Sequence, residues 1–246
     1  MQRTLAAWFA CVACCAPLIA QERPPRPFGF EVAFGSGHAD RGFIISDRAV
    51  VQPVVWVTGR VAEFSVWGSL PLAETTERSR PQIVEMELTR EHKWGRVTIA
   101  PAVRMFFYHD PLSPYSTHSV EGWLYLSYDL GPFSLFTKHS VDVLTYRGAY
   151  FGEAGVESEG VVSPRVELGG SLRAGWASAR FNDAYAGVAT SALDRIAVEG
   201  WLTAHLNPCC YISPQFEFST IVNPAVRAEL ARPTFLLLRL STGVEF

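Results

Sequence analysis

The side chains of this chain that could do chemistry fall into three groups. His109, Asp110, Ser113, Ser116 and His118 crowd one connector and offer the residue types of a serine–histidine hydrolase. No nucleophile motif surrounds either serine, and nearness in sequence does not make a triad. His205, Cys209 and Cys210 offer zinc-type donors. A strand would turn the adjacent cysteines to opposite faces, however, and no fourth ligand follows, so no metal, cofactor or catalytic residue is assigned. The third group is larger: carboxylates recurring along almost the whole chain, most of them beside apolar neighbours.

That recurrence has a period of two. Leu236, Leu238, Leu240, Thr242, Val244 and Phe246 share one face of the last segment, against Arg239, Ser241, Gly243 and Glu245. Ile196, Val198, Gly200, Leu202, Ala204 and Leu206 oppose Glu199, Trp201, Thr203 and His205 in the same way. The pattern returns over 28–35, 50–58, 62–70, 82–91, 96–108, 120–130, 134–146, 150–158, 166–176 and 211–222. Twelve strands result, with Arg41 to Ile44 read as an extension of the first. Several exceed the usual strand of a soluble sandwich and suit a tilted membrane strand.

Composition narrows the class. The chain has 246 residues, of which 48% are hydrophobic and 18% charged, with a formal charge of -3; such a balance excludes disorder and gives no pull toward nucleic acid. Residues 1–20 read as a secretory leader: Arg3 is the positive end, Leu5 to Cys15 the apolar run, and Ala20 the small residue before the cut. Residues 21–27 form a short periplasmic segment and 28–246 the barrel. No later apolar run is long enough for a spanning helix. An exported all-β chain that ends an alternating strand in Phe246 fits a closed antiparallel transmembrane β-barrel. A closed ring leaves no backbone group unpaired in lipid.

Short turns are expected at 59–60, 92–95, 129–132, 147–148 and 207–208, and long connectors at 73–81, 110–118, 178–194 and 223–233. Strict alternation of short and long fails, and 73–81 is the suspected misfit.

Ala39-Asp40-Arg41-Gly42-Phe43, Val51-Gln52-Pro53-Val54-Val55-Trp56, Val66-Trp67-Gly68-Ser69-Leu70, Tyr125-Leu126-Ser127-Tyr128-Asp129 and Gly148-Ala149-Tyr150-Phe151-Gly152-Glu153 resemble a poorly characterised group of bacterial outer-membrane proteins with porin-like barrels of about 12 strands. The resemblance implies architecture and location, and no catalytic set comes with it. The alternating terminal strand is similar to the signal read by outer-membrane assembly machinery, with Phe246 as its last residue.

If the apolar faces meet lipid, the interior receives Glu31, Glu63, Glu85, Glu87, Glu121, Asp129, Asp142, Glu153, Glu157, Glu167, Glu199, Glu217 and Glu245, with Arg104, Lys138, Arg173 and Arg239 as fewer positive partners. A net acidic path would favour small polar or cationic solutes. A salt-bridged, non-conducting core or a surface-binding barrel is the alternative, and a membrane hydrolase a third. Oligomeric state is not legible.

Overall fold

A computed structural model describes residues 27–72, 82–109 and 117–246. Their strands are β1 (Phe28–Gly35), β2 (His38–Asp40), β3 (Phe43–Ser46), β4 (Val50–Thr58), β5 (Glu63–Pro71), β6 (Gln82–Thr89), β7 (His92–Trp94), β8 (Val97–His109), β9 (Thr117–Asp129), β10 (Ser134–Asp142), β11 (Tyr150–Ser163), β12 (Val166–Ala177), β13 (Ala192–His205), β14 (Cys210–Ile221) and β15 (Thr234–Glu245). Two short helices, α1 (Ala179–Ala186) and α2 (Pro224–Glu229), interrupt them.

Hydrogen-bonded neighbours run β6, β5, β4, β1, β15, β14, β13, β12, β11, β10, β9, β8, and β8 pairs back with β6. All these pairings are antiparallel, so the sheet is a closed ring of 12 strands. Closure removes the edges that lipid could not satisfy. The short β7 extends the turn between β6 and β8 by pairing with β8 alone.

Inside and outside are inverted relative to a water-soluble protein. Leu168, Leu172, Val198, Leu202, Phe216, Phe218, Leu236, Leu238 and Leu240 are exposed as one apolar surface across β12 to β15, while Arg41, Gln52, Glu121, Asp142, Glu153, Asp194 and Arg195 are buried. Soluble monomers rarely expose so continuous an apolar patch. The pleat explains the division: even positions of these strands face out and odd positions face in. Near one rim, the outward His139, Tyr150 and Trp176 join through the Tyr150 hydroxyl at 2.8 and 3.2 Å, a polar–aromatic group suited to a lipid–water boundary.

β1 starts and β15 finishes at the same end, where the Phe246 amide donates to the Phe28 carbonyl at 2.9 Å and the two rings stack. We call this the near end. Turns 59–62, 90–96, 130–133, 164–165 and 206–209 share it; 36–49, 143–149, 178–191 and 222–233 lie at the far end, where β5 and β8 also end and β6 and β9 begin. The connector 73–81 and residues 110–116 lie outside the described residues, and the strands that flank them keep the alternation of ends. The misfit is 147–148, which belongs to the far end although it looks like a short turn. Asp142 makes this compact return possible: its carboxylate accepts from the Leu144 and Tyr146 amides and the Ser119 hydroxyl.

The far-end connectors at 178–191 and 222–233 contain the helices that strand periodicity did not indicate. Both carry side-chain caps. The Ser178 hydroxyl accepts from the Phe181 amide at 3.2 Å, Gly187 closes α1 at φ +72°, and the Asn223 side-chain oxygen accepts from the Ala225 amide at 3.0 Å. Phe181 and Val226 from these helices pack with Phe43, Ala149, Phe151, Ala177 and Ile221. This cluster is a small conventional core inside the far mouth.

Phe43 comes from a segment that departs from expectation. Arg41 to Ile44 do not prolong the first strand. They form the end of a β2–β3 hairpin that pairs only with itself, through His38 with Ser46, Ala39 with Ile44 and Asp40 with Phe43, and folds into the ring. A strand extension would have left the Arg41 charge on a lengthened wall. The turn instead takes left-handed backbone at Arg41 (φ +50°) and Gly42 (φ +93°), which reverses the chain.

Candidate interior site

In a closed ring, side chains from strands that are not neighbours meet only on the concave side. Several such meetings define the interior. Arg173 on β12 reaches Glu153 on β11 at 3.6 Å, Glu199 on β13 at 2.8 Å and Glu217 on β14 at 3.3 Å. Arg195 on β13 reaches Glu153 at 3.5 Å, Glu217 at 2.5 Å and the Ser219 hydroxyl at 3.1 Å. Arg239 on β15 approaches Glu199 at 3.9 Å and donates to the Gln215 side-chain oxygen at 2.9 Å. On the other wall, Arg104 lies between Glu85 at 3.4 Å and Glu87, with its guanidinium 3.8 Å from the Trp123 ring centre. Lys138 sits 5.0 Å from the Phe136 ring centre and 5.8 Å from that of Tyr125. These groups form a mid-barrel belt in which carboxylates and guanidinium groups are interleaved.

Toward the near end, the carboxylates have neutral donors. The Tyr211 hydroxyl donates to Glu31 at 2.6 Å, the Tyr125 hydroxyl to Glu157 at 2.8 Å, the Trp201 indole to Glu159 at 3.3 Å and the Thr58 hydroxyl to Glu63 at 2.7 Å. His205 faces Glu167 at 3.3 Å. Glu245 stands beside Gly29 in the β1–β15 ladder, and Asp129 is spent on a near-end turn, accepting from the Gly131 amide at 2.7 Å. The indole of Trp201 lies across Gly169, where an added Cβ would meet ring atoms at 2.3 Å. A glycine there lets the indole lie flat against the wall.

The hairpin crosses the far half of the interior. Its Arg41 is buried and grips Glu121 on β9 with both terminal nitrogens, at 2.9 and 2.5 Å. Around the ring, β9 is separated from β4 by three strands one way and from β1 by six the other, so the hairpin spans the opening. The Arg41 guanidinium also lies 5.1, 5.5 and 5.9 Å from the ring centres of Trp123, Phe181 and Phe151. Beside the hairpin stem remains a cavity of about 70 Å³, lined by His38, Gln52, Gln215, Glu217 and Arg239 among others. At about 10–15 Å³ per water on this measure, it has room for a handful of waters.

Burial lowers the His38 pKa below its ordinary value; Asp40 and Glu217 pull it upward and Arg239 downward without reversing the shift. The imidazole packs edge-on against Trp67, with ring centres 5.2 Å apart. The folded hairpin therefore prefers neutral His38 and the released form binds the proton more readily, so seating is strongest above about pH 6.5 and weakens as the pH falls. Amide hydrogen-exchange protection factors of residues 38–46, corrected for the intrinsic pH dependence of exchange, should be lower at pH 5.5 than at pH 7.5. His38→Gln should remove most of that difference; an unchanged pH response would reject His38 as its source.

Alternation alone did not bring Arg41, Arg195, Glu159, Trp56 or Trp67 to attention. Arg195 has the same parity as Glu199 and Trp201, so extending the polar face of β13 back by two alternate positions would have found it. Glu159 lay beyond the expected end of a strand that actually continues to Ser163. Arg41 carries no local signal, because its partner is 80 residues away. Of the hydrolase grouping, Asp110, Ser113 and Ser116 lie outside the described residues, and His118 faces outward, paired with Phe107 across the β8–β9 ladder. Among the described residues, no cluster of three His, Cys, Asp or Glu side chains could hold a metal.

Neither a protein-family model nor a curated protein matches the sequence. Solved structures do match the fold. A KdgM porin aligns with TM-score 0.53 at 8% identity, covering 89% of this chain and 98% of that one. A NanC porin aligns with TM-score 0.51 at 11% identity over 89% and 98%. The COG4313 outer membrane channel from Pseudomonas putida F1 gives 0.51 at 10% identity over 92% and 97%. At such identities the likeness is one of architecture: a porin-like, 12-stranded antiparallel barrel with its ion pairs inside and its apolar side chains outside.

Proposed function

We propose that the chain is a bacterial outer-membrane barrel that passes small polar solutes and favours cations. The observation that carries the cation preference is the division of the interior: guanidinium groups match the mid-barrel carboxylates, while Glu31, Glu157 and Glu159 are held by neutral aromatic donors. Neutral donors do not cancel a carboxylate's field as a bonded guanidinium does, Lys138 acts on Glu157 only from beyond bonding distance, and low-dielectric walls focus the remaining field on the water between them. Glu85 and Glu121 contribute less, because Arg104 and Arg41 offset them. In this reading lipid packs on the apolar exterior, residues 1–20 are removed on export, 21–27 remain periplasmic, and assembly machinery engages the strand ending at Phe246.

Reversal potentials in a KCl gradient across planar bilayers test the preference. Glu157→Gln combined with Glu159→Gln should lower the cation-to-anion permeability ratio by roughly two-fold or more. An unchanged ratio would remove the acidic near half as its origin.

The hairpin across the far mouth favours a second reading, a closed barrel that works through its far-end surface. Absence of any current from the purified protein, whatever the hairpin does, would select it.

A further inference from the structure

We propose that the β2–β3 hairpin is a movable gate, latched shut by Arg41 on Glu121; this inference rests on the channel reading and adds its regulation. The hairpin can leave the interior without breaking the barrel. Its strands bond to each other and contribute nothing to the ring ladder. The ladder stops just outside it, where the Ser36 amide donates to the Leu238 carbonyl at 2.8 Å and the Leu72 amide to the Ala49 carbonyl at 2.9 Å. A hinge is thereby confined to Gly37 and to Asp47 and Arg48.

The closed position is over-determined at its tip. Arg41 lies in left-handed backbone, a conformation that a non-glycine residue keeps only where its surroundings enforce it. Enforcement comes from the two-pronged contact to Glu121 and from the three aromatic rings around the guanidinium. Phe43 adds an apolar closing force by packing on Phe181 and Tyr185 of α1, with ring centres 6.0 and 5.7 Å away. The ionic part suits release. When a buried Arg–Glu pair separates into water, both ions recover hydration, so an ion-pair latch opposes opening less than its Coulomb attraction suggests. A seated hairpin and a released, hydrated one are the two states of this element. With the hairpin seated, the cavity beside its stem has room for a few waters, and a swing of the hairpin would join that space to the far mouth.

Single-channel recording in planar bilayers tests the gate, using the full chain and variants whose folding is checked by heat-modifiable electrophoretic mobility. The wild type should show brief, infrequent openings. Replacing residues 38–46 by a short Gly-Ser linker should give steady openings of several-fold larger conductance. Arg41→Gln and Glu121→Gln should each raise open probability ten-fold or more. The exchange Arg41→Glu with Glu121→Arg should restore part of the closure, which mere loosening of the hairpin fold would not do. Equal open probability and conductance in the wild type and the linker variant would overturn the gate while leaving the channel. Unaltered open probability in Arg41→Gln would overturn the latch. A folded linker variant without current would overturn the channel reading, and the gate with it.

Discussion

Val198→Arg is expected to destabilise the barrel in a phospholipid bilayer by about 2–4 kcal/mol, the cost of a cationic side chain on the lipid face near the membrane midplane. Val198 lies near the middle of β13, 39% exposed, between Leu172 on β12 and Phe218 on β14 in the ladder, and both neighbours are themselves exposed and apolar. In a soluble sheet an exposed valine is an easy site for arginine, and the change would stay within about 0.5 kcal/mol. The large penalty arises only if those neighbours face hydrocarbon, where the guanidinium must snorkel or draw water inward. Urea titration of the protein folded into liposomes measures it, with Val198→Leu as a control of nearly unchanged stability. A cost below about 0.5 kcal/mol for arginine would mean that this face meets water, and the transmembrane reading would fall.

The same face shows why so much of the fold was legible in the sequence. A ring that puts hydrocarbon on one side and ion pairs on the other writes a period of two into every strand, and this is visible without knowing any partner. Leu236 to Phe246 reads correctly for that reason, and so does the place of Val198 on the apolar face of its strand. The signal fails where the backbone breaks its own period. Opposite Gly175 and Trp176 the ladder shifts, so that both Asp194 and Arg195 turn inward and are buried. Simple alternation allows only one of two adjacent residues inside. Asp194 is then held by Asn182 and Asn223, at 2.6 and 3.0 Å, residues of the far-end connectors rather than of any strand.

The hairpin was illegible for a different reason. Its inward fold depends on Glu121, Trp123, Phe151 and Phe181, which reach it from three later elements. Nothing in residues 38 to 46 distinguishes a short hairpin from the end of a strand. The acidic excess of the interior was likewise countable, whereas its distribution was not. Which carboxylates are neutralised follows from reach across intervening strands, as when Arg195 passes over β12 to Glu153.

Arg195→Met should cost about 3–5 kcal/mol, because removing one member of a buried ion-pair network strands the charges it served. The side chains of Arg195 and Glu153 are each 6% exposed, and that of Glu217 is 23% exposed. Without Arg195, Glu217 must rely on Arg173, which already bonds Glu199 at 2.8 Å, and Glu153 on Arg173 and its cross-strand neighbour Lys138. Adding Glu153→Gln to Arg195→Met restores the charge balance and should recover much of the loss, since an uncompensated buried charge is worse than no charge. Urea midpoints of the two single variants and the double variant complete the cycle. The magnitude also reports on the water in the mid-barrel. In a wide, wet passage the stranded carboxylates would be solvated and the single change would approach the value of about 1 kcal/mol or less typical of surface pairs. A cost near 3–5 kcal/mol, relieved by the second substitution, means that the belt is dry while the hairpin is seated. Repeating the measurement on the protein lacking residues 38–46 separates the two contributions. If the hairpin keeps water out, the cost of Arg195→Met should fall when it is removed, and if ring packing alone dries the belt, the cost should stay the same.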